Sequence, residues 1–168
     1  MMDAGFQQAA IALGSNLGDC RATLEAALAA LDADPDVRLL RRSAWYRSAP
    51  VGPPQPDYLN GCAVLAVSLT PEELLQRLQA TEARFGRVRA ERWGPRTLDL
   101  DLILFGDLIL SGERLQIPHP RLQERSFVLV PLAEIAPDWI EPHTGRTVAA
   151  LASALGDDDS MERLAEGR

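Results

Sequence analysis

Apolar residues in this chain recur with two different periods, and each change of period marks an element. Gln8 to Leu13 is a short apolar run that stops at Gly14-Ser15-Asn16, which predicts a strand and a turn. Asp19 then precedes a stretch to about Ala33 in which Leu24, Leu28 and Leu31 share one helical face, with Asp19 as the cap. Asp34-Pro35-Asp36 breaks that helix, and Val37 to Tyr46 reads as a second strand. Arg47 to Asp57 holds Pro50, Gly52, Pro53, Pro54 and Pro56, so it is a loop of restricted backbone. Tyr58 to Leu69 is a third strand. Thr70-Pro71-Glu72-Glu73 starts a helix, with a cap, a proline in the first turn and a glutamate placed to close a capping box. That helix runs to about Phe85 and closes at Gly86. Arg87 to Thr97 is a basic loop, Leu98 to Phe105 a strand, and Gly106-Asp107 a turn into Leu108 to Leu110.

The order strand, helix, strand, strand, helix, strand is that of a split βαβ unit. It predicts an α+β fold: a ferredoxin-like βαββαβ core with a mainly antiparallel sheet, helices on one face and C-terminal additions. The other face of the sheet is then free for a site. Residues 1–156 are expected to form one domain, and 157–168 to be a polar, disordered tail.

Composition narrows the function. The net charge of −7 argues against a nucleic-acid partner, and no apolar stretch reaches membrane-span length. Met1 to Ala10 has no basic segment ahead of its apolar run, so no secretory signal is expected. Cys20 and Cys62 lie too far apart to suggest a zinc cluster, and two cysteines make no disulfide framework. A reducing cytoplasm and a monomer are the expectations. The chain contains no lysine; all 17 basic residues are arginine. A phosphate-binding P-loop and a protein-kinase site both need a lysine, so neither exists here. Any phosphate chemistry must use arginine and metal.

The richest segment is Arg92-Trp93-Gly94-Pro95-Arg96-Thr97-Leu98-Asp99-Leu100-Asp101-Leu102-Ile103. Alternate side chains of a strand share a face, so Asp99 and Asp101 point the same way, roughly 7 Å apart. Leu98, Leu100, Leu102 and Leu104 point into a core. Paired carboxylates repel each other, and a hard divalent cation removes the penalty; magnesium is commonly held by one or two carboxylates plus phosphate oxygens. Just before the pair stand Arg87, Arg89, Arg92 and Arg96, whose forked guanidinium groups match phosphate oxygens. Gly86 and Gly94 would let this loop close over a ligand, with Trp93 as cover.

These residues carry a resemblance. The run from Arg92 to Asp101 resembles the defining motif of the hydroxymethyldihydropterin pyrophosphokinases. Gly14-Ser15-Asn16-Leu17-Gly18 is similar to that family's N-terminal turn. Tyr46 to Gly52 and Gln55 to Asn60 resemble its second loop and following strand, and Ile117-Pro118-His119-Pro120 with Arg125-Ser126-Phe127 its C-terminal site segment. The matches keep their order from about residue 9 to residue 140.

The resemblance implies transfer of the terminal diphosphate of ATP to 6-hydroxymethyl-7,8-dihydropterin in folate biosynthesis. Asp99 and Asp101 would hold two magnesium ions, with Arg87, Arg92 and Arg96 completing the catalytic set. Gln79, Glu82, Arg89, Trp93, Arg96, Leu102, Arg114, His119 and Arg125 would meet ATP. Ser48, Ala49, Val51, Tyr58, Asn60, Trp93, Asp99 and Phe127 would meet the pterin, with Phe127 and Tyr58 as stacking rings and Asn60 reading the ring edge. Two rival classes are weaker. An RNA-binding module would not place Asp99 and Asp101 on its central strand, and a sensor domain leaves the carboxylates and clustered arginines without a role.

Overall fold

A computed structural model describes residues 5–50, 54–86, 97–158 and 160–165. The chain runs β1 (Gln7–Ser15), α1 (Cys20–Asp32), β2 (Val37–Arg42), β3 (Tyr46–Ser48), β4 (Tyr58–Val67), α2 (Pro71–Arg84), β5 (Asp99–Phe105), β6 (Leu110–Ser111), β7 (Gln116–Ile117), α3 (Ser126–Ile135), β8 (Ile140–Glu141), β9 (Arg146–Thr147), α4 (Val148–Leu155) and β10 (Met161–Arg163). The main sheet has the order β10-β3-β4-β1-β5, with β2 also on β4. Its pairings are antiparallel. Taking β2 and β3 as one interrupted strand, this is the ferredoxin-like order, as the sequence predicts.

Local signals explain where the helices begin. Asp19 accepts the Ala22 amide at 3.2 Å, capping α1. Thr70 accepts the Glu73 amide at 3.2 Å while the Glu73 carboxylate accepts the Thr70 amide at 2.9 Å, so the capping box forms in full. A 14-residue helix is marginal alone. What fixes α2 is its inner stripe, Leu74, Leu78, Thr81 and Glu82. Each leucine so buried contributes about 2 kcal/mol.

Side-chain alternation gives the sheet two apolar faces. Ile11, Leu13, Ala63, Leu65, Leu100 and Leu102 pack under α1 and α2 with Leu24, Leu28, Leu74 and Leu78. Ala10, Ala12, Cys62, Val64, Ile103 and Leu104 face α3 and α4, against Val128, Leu129, Leu132 and Leu151. The second face is therefore covered by α3 over part of its area, rather than free throughout.

Three further expectations change. The predicted strand Val37 to Tyr46 is broken at Ser43-Ala44-Trp45: Ser43 Oγ takes the Cys62 amide at 2.9 Å, and the Ala44 amide turns to the Glu134 carboxylate at 3.0 Å. Trp45 is fully buried over Gly61, where an added Cβ would lie 2.5 Å from the indole ring. Leu104 leaves the face of Leu98, Leu100 and Leu102, because the register of β1 and β5 shifts between Ala10 and Ile11. Residues 161–163, read as part of a disordered tail, form the edge strand β10 on β3. Beyond the Gly106-Asp107 turn, β6 at Leu110–Ser111 pairs with β7.

Candidate active site

At one end of the sheet its second face becomes polar. Asp99 and Asp101, both half-buried, project from this face of β5, opposite Gly14 and Ala12 of β1. Those two partners, a glycine and an alanine, are small. Gly14 is also the neighbour of Asn60 on β4, and Asn60 the neighbour of Tyr46 on β3. Tyr46, Asn60, Gly14 and Asp99 thus make one row across four strands. A Cβ on Gly14 would stand 3.0 Å from Asn60 Oδ1, so only glycine lets Asn60 lie this close to β1. Asn60 Nδ2 donates to Ser48 Oγ at 2.8 Å, and both side chains are buried.

The edge strand β5 is held from outside. Glu82, in the last turn of α2 and 5 % exposed, accepts the Leu100 amide at 2.7 Å. This is the backbone between the two aspartates, pointing away from β1. The sequence reading placed Glu82 along the nucleotide site; the structure places its carboxylate on the strand that bears Asp99 and Asp101. A blunted edge and a fixed Asp-x-Asp backbone follow from one contact.

His119 closes the other side. Its amide donates to the Ile103 carbonyl at 3.0 Å, which sets it beside β5. Its Nδ1 accepts the Arg121 amide at 3.2 Å, so the neutral ring carries its hydrogen on Nε2 and is a donor there. Burial pushes the imidazole pKa down; Asp101 opposes this, while Arg125 and Arg121 add to it. Arg125 lies 5.4 Å from the centroid of the Phe127 ring, and Phe127, at the start of α3, rests half-buried against the second apolar cluster.

The structure thus gathers Ser48, Asn60, Asp99, Asp101, His119, Arg125 and Phe127 around one end of the sheet. Tyr58 is half-buried, on the Asn60 face. Ala49 is exposed beyond β3, Gln79 on α2 one turn before Glu82, and Arg114 on the turn between β6 and β7. Leu102 buries its side chain in the first core, which leaves its backbone as the group available to a ligand. Val51, Arg87, Arg89, Arg92, Trp93 and Arg96 lie outside the described residues. Sequence reasoning gave no role to Gly14 or Asn16. Asn16, 1 % exposed, donates to Gln55 Oε1 at 2.7 Å and to the Pro56 carbonyl at 3.0 Å, tying the end of β1 to the approach of β4. The signal was a polar residue directly after an apolar strand, which looks like any turn.

A ferredoxin-like sheet with a carboxylate pair on its edge strand and a polar, aromatic-flanked end defines the class: a small α+β domain with a polar site at one end of its sheet. Comparison with known proteins gives the particular family. Residues 10–137 match the model of 7,8-dihydro-6-hydroxymethylpterin-pyrophosphokinase, and the chain belongs to that family. It is 57 % identical over 143 residues to the 2-amino-4-hydroxy-6-hydroxymethyldihydropteridine pyrophosphokinase of Synechocystis sp., covering 85 % of this chain and 73 % of that one. The enzyme of the same name from Pseudomonas aeruginosa is 49 % identical over 160 residues, covering 95 % of this chain and 98 % of its own. In fold, the chain is similar to the Plasmodium falciparum HPPK-DHPS wild-type crystal structure, with a TM-score of 0.74 at 13 % identity. That match covers 94 % of this chain but 44 % of the longer one, and it speaks for the fold alone. Among the described residues no helix is long and apolar enough to cross a membrane.

Proposed function

We propose that the polar end of the sheet is where this chain performs its family's reaction, moving the terminal diphosphate of ATP to the hydroxymethyl group of 6-hydroxymethyl-7,8-dihydropterin with release of AMP. The observation that carries the assignment is the row Asp99, Gly14, Asn60 beside Asp101. It sets a hard-oxygen pair and a hydrogen-bonding edge on one surface.

The donor set suits magnesium. Among the described residues no group of three metal-type side chains occurs, and two carboxylates facing small neighbours are what this ion takes when phosphate oxygens supply the rest. Asp99 and Asp101 would hold two such ions, which would neutralise charge on the triphosphate when bound. The chain's own groups do the remainder. Asn60 and Ser48 read the pterin edge, Phe127 and Tyr58 flank the flat ring, and Ala49, Val51 and Trp93 line it. His119 Nε2–H and Arg125 donate to the nucleotide's phosphates, with Arg114, Gln79 and the Leu102 backbone on its nucleoside side. Arg87, Arg89, Arg92 and Arg96 supply positive charge where phosphoryl oxygens gain negative charge, a large term in a site from which water is excluded. The hydroxymethyl oxygen attacks the β-phosphorus, the bond to the α-phosphate oxygen breaks, and AMP carries that oxygen away. The small, negatively charged chain needs no nucleic acid or membrane, and its cysteines suit a cytoplasmic enzyme.

Mixing the protein with ATP, magnesium and the pterin tests this reading. AMP and pterin diphosphate should form in equal amounts. Release of ADP instead, or AMP formation independent of the pterin, contradicts it.

A further inference from the structure

The C-terminal segment belongs to the same surface. β10 pairs with β3 so that Met161 lies opposite Ser48 and Arg163 opposite Tyr46. Paired residues of an antiparallel ladder point to the same face. Met161 therefore shares the face of Ser48 and Asn60, and its half-buried, polarisable side chain extends that face outward.

The segment also holds the opposite wall. Asp158 Oδ2 accepts the Ser126 hydroxyl at 2.5 Å, and Ser126 is the first residue of α3, next to Phe127. Asp158 Oδ1 accepts the Ser160 amide at 2.9 Å and its hydroxyl at 2.5 Å, a turn that directs the chain into β10. At the far end of α3, Arg163 reaches Glu134 at 3.5 Å, and Glu134 accepts the Tyr46 hydroxyl at 2.7 Å. The Leu164 amide donates to the Trp45 carbonyl at 2.9 Å. One short stretch is thus hydrogen-bonded to β3 along its length and to α3 at both ends.

We propose that Asp158 and residues 160–164 form a strap that sets the width of the pterin slot, tying the Ser48 wall to the Phe127 wall, with Met161 as its outer apolar border. This rests on the reading of Ser48, Asn60 and Phe127 as the pterin site. A flat ring gains from stacking only when its two walls stand at the right separation, and a shift of about 1 Å in such a site can cost orders of magnitude. The Ser126 hydroxyl, followed by the Ser160 hydroxyl and amide, holds the Asp158 carboxyl below its usual range, so at neutral pH it is an acceptor. Asp158 is a positioning residue: it acts through Ser126 and α3 rather than on the substrate.

The test is the pair of Michaelis constants in the intact chain. Asp158→Ala and Ser126→Ala should each raise KM for the pterin about fivefold while leaving KM for ATP within about twofold. The double variant should be no worse than either alone, because both remove one interaction. Asp158→Asn, which keeps an acceptor oxygen, should recover most of the loss, and Met161→Ala should raise the pterin KM alone. An unchanged pterin KM, or an equal rise for both substrates, overturns the strap. Asn60→Ala separates the two ideas. If it weakens pterin binding while Asp158→Ala does not, the strap falls and the site reading stands. If Asn60→Ala leaves pterin binding unchanged, the site reading falls and the strap with it.

Discussion

Replacing Glu82 tests how the fold positions the aspartates. Glu82 is 5 % exposed, and its carboxylate accepts the buried Leu100 amide at 2.7 Å. A hydrogen bond to a charged acceptor contributes about 1.5–3 kcal/mol, and an amide left buried without a partner costs about 1–3 kcal/mol. These two figures describe the same loss seen from either side, so they are not added. Glu82→Ala should therefore destabilise the chain by about 2–3 kcal/mol, less whatever the edge backbone recovers from water. In a domain of this size that is a fall of about 4–12 °C in Tm. Glu82→Gln keeps an oxygen of the same reach and should lose about 1 kcal/mol. Urea unfolding of the three proteins gives the stabilities, and AMP release at graded magnesium gives the function. The alanine variant should need more magnesium for half-maximal rate, because the Asp99-Leu100-Asp101 backbone is no longer fixed. A Glu82→Ala protein within about 0.5 kcal/mol of wild type, the ordinary range for surface substitutions, would refute the reasoning.

Gly14→Ala pushes a Cβ to 3.0 Å from Asn60 Oδ1, and Asn60 is held by Ser48, so it cannot yield freely. Steady-state assays should show a several-fold higher pterin KM, with KM for ATP little changed. Glu134 gives a pH test. Burial raises its carboxyl pKa, but the Tyr46 hydroxyl, the Ala44 amide and Arg163 outweigh burial and bring it below its usual range. A depressed folded pKa gives stability that is present above the unfolded value of about 4.3 and is lost as pH falls through the folded one. Denaturant midpoints of wild type and Glu134→Gln should differ by a constant amount above about pH 5.5 and converge in acid. A gap that widens in acid reverses the sign and refutes it.

What the sequence reveals depends on the range of the contacts. The start of α2 is legible because Thr70, Pro71 and Glu73 complete their hydrogen bonds within one turn. Asp99 and Asp101 are legible for the same kind of reason, since two residues apart on a strand means one face. The break between β2 and β3 is not legible, because Ala44 surrenders its strand pairing to Glu134, ninety positions away. The shift that turns Leu104 over is hidden within an unbroken apolar run from Leu102 to Phe105, where every register looks equally apolar. β10 has three residues, two of them charged, and only its pairing with β3 identifies it as a strand. The roles of Ser48, Asn60 and Phe127 came from the family resemblance. Seen as residues alone, they are a buried serine, a buried asparagine and a half-buried aromatic against the core.

The most direct measurement is the rate of AMP release by Asp99→Asn and Asp101→Asn at saturating magnesium, ATP and pterin. Asparagine keeps the shape and removes the charge, and relief of like-charge repulsion on β5 should leave the variants at least as resistant to urea as wild type. The expected result is a fall of about a thousandfold or more in kcat in both, on a fold that is intact. Turnover within about tenfold of wild type would contradict the assignment of this carboxylate pair as the seat of the chemistry.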